Sequence, residues 1–160
     1  MKVNLKIGKP KTINYTIKAK SYNDAHDELD KRTEWGEYKS NLKYAFQDMK
    51  DGTVTQITFT AKPTIEMPKW ANASKLKGQE KKNWDAMIKA LKRHEMGHHE
   101  IVLTDTKAFK KKREKLGNFP KSDFNKVITE FATAAKDNQV NYDRKNDHGA
   151  KEGVGLPPVT

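Results

Sequence analysis

The residues with the clearest potential for chemistry stand in one short segment, His94-Glu95-Met96-Gly97-His98. Two histidines four residues apart on a helix project from the same face one turn apart, which lets two imidazole nitrogens meet one tetrahedral zinc ion. Glu95 lies about 100° round the helix from His94, where a carboxylate can take a proton from a water molecule that zinc has acidified. The segment therefore predicts a zinc-dependent hydrolase with one Zn²⁺ ion bound by His94 and His98, and with Glu95 as the general base.

A simpler interpretation is that His94 and His98 are polar positions on an ordinary buried helix face. Two neighbouring buried imidazoles without a metal would each need a separate hydrogen-bond partner. The motif also falls on the apolar stripe of a predicted helix, which is the context that it requires. We therefore favour the metal site over two core histidines.

A catalytic zinc ion needs a third protein ligand besides one open coordination position. The chain has no cysteine, so this ligand must be a histidine or a carboxylate. We prefer His148, because it follows a long predicted helix and precedes Gly149, where the backbone can bend and aim the ring inward. Asp143 is the main competitor, and His26 is disfavoured because it lies on a short, acidic predicted helix.

Tyr142 and Asp143 form a small polar cluster with His148 near the end of the last predicted helix. A tyrosine hydroxyl near zinc can stabilise a developing oxyanion, and a carboxylate can orient a histidine ligand. Tyr142 is therefore a candidate catalytic residue and Asp143 a candidate partner of a metal ligand. The alternatives are a tyrosine that ends an apolar stripe and an aspartate on the surface.

The sequence patterns around these residues predict an α+β fold. In this fold an antiparallel β-sheet from the N-terminal half packs against the long motif helix and a C-terminal helix. Several runs within the sheet-rich residues 1–70, such as Val3/Leu5/Ile7 and Thr55/Ile57/Phe59, alternate apolar and polar side chains at the strand period, and Asp51-Gly52 marks a hairpin turn. Ser21 is a predicted N-cap, with Asp24 three residues later. From about Lys82 the apolar residues follow the helical period. We expect one domain over residues 1–160, helical over 78–147 and irregular over 149–160.

The composition is strongly basic, with 32 Lys and Arg against 21 Asp and Glu and a net charge of +11. Such a charge can attract an acidic partner or a polyanion. The densest basic run, residues 107–115, contains Phe109 as its only aromatic, so we interpret it as a solvated helix end. No run reaches the roughly 18 apolar residues that a membrane helix needs, and the first residues lack the apolar stretch of a signal peptide.

Several short motifs follow one another along the chain: Tyr15-Thr16-Ile17, Trp35-Gly36, Met67-Pro68-Lys69-Trp70, Arg93-His94-Glu95-Met96-Gly97-His98, Tyr142-Asp143, His148-Gly149 and Gly153. In this order they resemble a bacterial family of proteins of unknown function that is described as predicted secreted zinc-dependent proteases. The resemblance implies that His94 and His98 bind zinc, that Glu95 is the catalytic acid and base, and that His148 completes the site. It also implies a secreted or exported protein, whereas the missing signal peptide leaves a cytoplasmic location as the alternative.

Together these observations predict a monomeric zinc-dependent metallopeptidase that hydrolyses a peptide bond in a peptide or protein substrate. Another amide, such as one in a cell-wall peptide, would suit the same chemistry. One alternative is a secreted effector or toxin that acts on a specific amide substrate and is paired with an immunity protein. The less favoured alternative is a non-enzymatic basic module that binds nucleic acid, whose binding should fall steeply with salt and survive chelation.

Overall fold

The computed structural model describes residues 1–159 and contains seven strands and three α-helices within that range. The helices are α1 (Tyr22–Asp30), α2 (Gly78–Leu116) and α3 (Phe124–Asn146). The strands are β1 (Lys2–Ile7), β2 (Lys11–Ile17), β3 (Glu37–Lys39), β4 (Lys43–Asp48), β5 (Thr53–Ala61), β6 (Thr64–Trp70) and β7 (Phe119–Pro120). The α+β class expected from the sequence is confirmed. None of the helices in the described residues combines the length and apolar character that crossing a membrane requires.

The chain divides into two compact units. The first unit contains residues 1–10, 40–63 and 98–142, and the second contains residues 11–39, 64–97 and the chain from Asp143 onward. Both α2 and α3 contribute residues to each unit. The prediction of one domain over the whole chain stays a prediction.

The first unit contains a mixed sheet with the strand order β1-β5-β4, and β7 pairs with β5 outside this order. β1 runs parallel to β5, whereas β4 and β5 form an antiparallel hairpin around Asp51-Gly52, as predicted. The core of this unit is rich in phenylalanine. The ring of Phe59, which is fully buried, meets those of Phe109 and Phe131 at centroid distances of 5.2 and 5.1 Å. This packing fixes the C-terminal half of α2 and the middle of α3 against the sheet.

The second unit contains a separate sheet with the order β2-β6-β3, in which β2 is parallel and β3 antiparallel to β6. Its core includes Leu29 from α1, Met87 and Leu91 from α2, and Trp70, whose ring lies 5.1 Å from that of Trp84. α1 begins at the predicted N-cap. The Ser21 side chain accepts a hydrogen bond from the backbone of Asp24, whose carboxylate accepts one from the backbone of Ser21. This core holds the segment of α2 that precedes the histidine motif.

The expectation of one antiparallel sheet was wrong in its details. The alternating pattern identifies strands but does not identify their partners, and β1 and β2, separated by a short turn, belong to different sheets. Both parallel pairs join strands that lie far apart in the sequence. Pro68 lies inside β6, beyond the part of this strand, Thr64–Glu66, that pairs with β3. At Pro68, β6 has a neighbour on one side only, a position where sheets tolerate proline.

Candidate metal site

Three side chains of the described residues can hold a metal ion together: His94, His98 and Asp143. Each offers one ligand atom, and these atoms all lie within 4.8 Å of one another. His94 and His98 are one turn apart on α2, and Asp143 is in the last turn of α3. The distance from Nε2 of His94 to Oδ1 of Asp143 is 3.3 Å. The helical period of α2 therefore places the two imidazoles, and the last turn of α3 places the carboxylate.

The far side of each imidazole ring is held by a neighbouring side chain. Nδ1 of His94 lies 2.7 Å from a carboxylate oxygen of Glu152, and Nδ1 of His98 lies 2.5 Å from Oε1 of Gln139. Gln139 also donates from Nε2 to the backbone carbonyl of His98, at 3.1 Å. Because Nδ1 of each ring is engaged in this way, Nε2 is the nitrogen suited to bind a metal. Two oriented imidazoles and a carboxylate form a donor set that is typical of catalytic zinc, so the residues fit a zinc ion.

Glu95 is buried, with 4% of its surface exposed. Burial raises the pKa of its carboxyl to about 8, and the negative charges of Glu34 and Asp143 add to this effect. A backbone hydrogen bond from Tyr38 opposes the shift. Gly36 passes so close that a Cβ atom there would lie 2.9 Å from Oε1 of Glu95. The segment around β3 thus encloses the carboxyl group that the sequence marks as the general base, and a cation bound nearby would favour its charged form.

Tyr142 lies beside the second histidine of the motif. Its ring meets that of His98 edge-on, with the centroids 4.9 Å apart and the planes at 81°. Tyr142 precedes the carboxylate of Asp143 directly in α3. Tyr142 thus lies next to a member of the candidate metal group, and its role as an oxyanion donor stays a prediction.

The structure does not group His148, the preferred third ligand, with the other two histidines. Its residue is exposed and has a positive φ of 47°. Its backbone N–H donates to the carbonyl of Asp143 at 2.9 Å, which folds the chain back at the end of α3. Asp143, the competitor, completes the group instead. His26, the histidine disfavoured as a ligand, lies beside Asp27 and Asp30 on α1.

Sequence reasoning missed both residues that engage the outer ring nitrogens. Gln139 precedes Asp143 by four residues, so the helical period alone places the two on one face of α3. Glu152 stands between Gly149 and Gly153, two glycines that signal a sharply folded segment. Both patterns are present in the sequence, but neither indicates that the side chain lies near the histidines.

Comparison with known families adds one finding. The model of a family described as "Bacterial protein of unknown function (DUF922)" matches residues 12–149. The chain belongs to this family. The range that matches DUF922 contains His94, Glu95, His98 and Asp143 and ends at Gly149. Comparisons with curated proteins and with solved structures give no significant match. The description of DUF922 names no activity, so protease activity stays a prediction.

Proposed function

We propose that this DUF922 protein is a zinc-dependent hydrolase that cleaves peptide bonds. The observation that carries the proposal is the group formed by His94, His98 and Asp143, with the buried carboxyl of Glu95 next to the first of them on the same helix. A structural zinc site normally has four protein ligands, whereas a catalytic site has three and an open position. Three candidate ligands with an acid beside them favour the catalytic kind.

The residues that would hold the ion are His94, His98 and Asp143. When bound, zinc would supply a Lewis acid that polarises the scissile carbonyl and makes water more acidic. The protein's own contribution to binding is orientation, since Glu152 and Gln139 fix the two imidazole rings from behind.

Glu95 is the proton carrier in this proposal. Its carboxylate accepts a proton from the attacking water and passes it to the nitrogen of the leaving amine, so the carboxylate is regenerated at the end of each turnover. The enclosed position of Glu95 suits this role, because a carboxylate with a raised pKa is a stronger base and takes a proton from water more readily than it would at its ordinary value. The hydroxyl of Tyr142 is the candidate donor to the oxyanion.

A peptide or protein is the proposed substrate class, because the same arrangement of ligands and acid serves amide hydrolysis in general. The basic net charge of +11 favours an acidic partner or substrate region through long-range attraction.

The proposal is tested by measuring metal content and hydrolysis together. The parent, Glu95→Gln and the control Glu100→Gln are purified, analysed for zinc, and assayed with an unstructured protein substrate. Glu100 is exposed on the same helix, so its substitution removes the same charge without touching the buried acid. We expect about one zinc per chain in all three, and hydrolysis in E95Q lower by a factor of about 10²–10⁴.

Two results would count against the proposal. Equal hydrolysis by E95Q and the parent would remove Glu95 from the mechanism. Failure of the parent to bind zinc under zinc-replete conditions would refute both the metal site and the hydrolase assignment. E100Q should retain the activity of the parent, which would show that a loss in E95Q does not come from removal of a negative charge on the helix.

A further inference from the structure

The chain after α3 folds into a tight turn that brings Glu152 back to the motif helix. Asp147 and His148 both have positive φ angles, of 51° and 47°, and Gly149 follows with a φ of 89°. A short 3-10 turn, Ala150–Glu152, comes next. The Gly149 carbonyl accepts hydrogen bonds from the backbone of Glu152 at 2.9 Å and of Val154 at 3.0 Å. These bonds fix the backbone that carries Glu152.

The same turn is anchored within the second unit on both sides of Glu152. Arg93, which precedes the first motif histidine, donates a hydrogen bond to the backbone carbonyl of Glu152. After the turn, Leu156 is buried in the core of the unit, and the Tyr22 hydroxyl donates to the Pro157 carbonyl at 2.7 Å. Glu152 is therefore held by packing and hydrogen bonds that do not depend on its own side chain.

The turn also lies directly against the ring of His94. A Cβ atom at Gly149 would come within 3.2 Å of Cγ of His94, closer than nearly all real contacts of this kind. The carboxylate of Glu152 then meets Nδ1 of the same ring at 2.7 Å. Backbone and carboxylate thus leave this imidazole, which is 4% exposed, little freedom to rotate.

We propose that Glu152 is a positioning residue for the metal site, and this inference rests on the proposed function. Its carboxylate accepts a hydrogen bond from Nδ1–H of His94, which fixes the tautomer with Nε2 as the lone-pair donor and aims that lone pair toward Asp143 and His98. A charged acceptor also makes the imidazole a stronger electron donor than a neutral one does. The segment that begins at His148 therefore serves the site through Glu152 and Gly149.

The two imidazoles have different outer partners, which provides an internal comparison. His98 is held by the neutral amide of Gln139, and His94 by the carboxylate of Glu152. Substitution of Glu152 by Gln keeps a side chain of the same length with an acceptor oxygen, so His94 would gain the kind of partner that His98 already has. Substitution by Ala removes the acceptor altogether.

The test measures zinc affinity and the cobalt spectrum in the full chain. The parent, Glu152→Ala, Glu152→Gln and the control Asp147→Asn are titrated with zinc against a chromophoric chelator, and the visible absorption of each Co²⁺ complex is recorded. Asp147 is exposed in the same segment, and asparagine tolerates its positive φ, so D147N removes one negative charge without touching His94. Tryptophan fluorescence of the metal-free proteins confirms folding, because all three tryptophans lie in the second unit.

We expect E152A to bind zinc about 10–100-fold more weakly than the parent, with altered cobalt bands, while E152Q lies between the two and D147N matches the parent. Equal affinity of E152A and the parent would overturn the inference, as would an equal loss in D147N, which would indicate a general charge effect. A parent that binds zinc but hydrolyses nothing refutes the proposed peptidase while these affinities still test Glu152. A parent without zinc refutes both.

Discussion

Substitution of Gly149 by alanine tests whether the turn after α3 supports the histidine that it touches. The new methyl group would lie 2.7 Å from Cγ2 of Val154 and 3.2 Å from Cγ of His94, so neighbouring atoms must move. Alanine at a φ of 89° costs about 1–2 kcal/mol. Overpacking of a filled site adds about 1–3 kcal/mol. We therefore expect G149A to lower the free energy of unfolding by about 2–5 kcal/mol in all.

The matched control is Gly153→Ala. Gly153 has nearly the same φ, 92°, but a Cβ atom there meets only Cβ of Ala90, at an ordinary distance of 3.7 Å. G153A should therefore show the backbone cost of about 1–2 kcal/mol alone. The gain from a less flexible unfolded chain is the same in both variants and cancels in their difference.

Urea denaturation followed by tryptophan fluorescence gives the two free energies, and a zinc titration gives the effect on the site. G149A should be less stable than G153A by about 1–3 kcal/mol and should bind zinc more weakly, because the methyl group displaces the His94 ring. Equal stability and equal zinc affinity in the two variants would refute the contact between the turn and the ring.

Three further predictions follow. Gly36→Ala should lower hydrolysis with little change in zinc affinity, because its Cβ would lie 2.9 Å from the carboxylate of Glu95, the proposed general base. Gly155→Ala is the control, because a Cβ there meets nothing within 4 Å. Hydrolysis assays and zinc titrations compare the two variants. Asp143→Ala should lower zinc affinity at least about tenfold, the loss typical when a side chain that only supports a ligand is removed. His148→Ala should leave zinc affinity unchanged, and competition with a chelator measures both. Burial raises the pKa of the Asp105 carboxyl, so the parent should lose stability relative to Asp105→Asn as the pH rises from about 4 to 7, measured by urea denaturation.

Each of these has an outcome that contradicts it. Similar hydrolysis by G36A and G155A would show that the general base tolerates displacement. Loss of zinc in H148A with retention in D143A would restore the ligand preferred from the sequence. The sign for Asp105 follows from its folded state, which favours the protonated acid, so ionisation above the pKa of the unfolded chain penalises the native state. A stability difference between parent and D105N that stays constant with pH would show that ionisation of Asp105 does not destabilise the native state.

Local signals in the sequence predicted local structure well. Ser21 and Asp24 form the predicted capping box, and Asp51-Gly52 forms the predicted hairpin turn, because both motifs act through residues close together in the chain. The helical region was expected to begin at residue 78, where α2 does begin, although the apolar period that identified it is clear only from about Lys82.

Long-range pairing was not accessible in the same way. The parallel pairing of β1 with β5, or of β2 with β6, depends on which apolar faces meet, and alternation along one strand carries no information on its partner. The third member of the metal group shows the same limit. His148 was preferred because a bend at Gly149 could aim its ring inward, whereas Asp143, in the last turn of α3, is the side chain that joins the pair. Only tertiary packing sets where that turn ends.

The candidate metal group, His94, His98 and Asp143, stands on two helices, α2 and α3, that also contribute side chains to the apolar cores. In small zinc-dependent folds the free energy of metal binding is the free energy of folding, so the apoprotein is unstructured. This chain has two apolar cores of its own, so we expect it to fold before it binds a cation. Under the proposed function, the local supply of zinc would then decide when the folded protein becomes active.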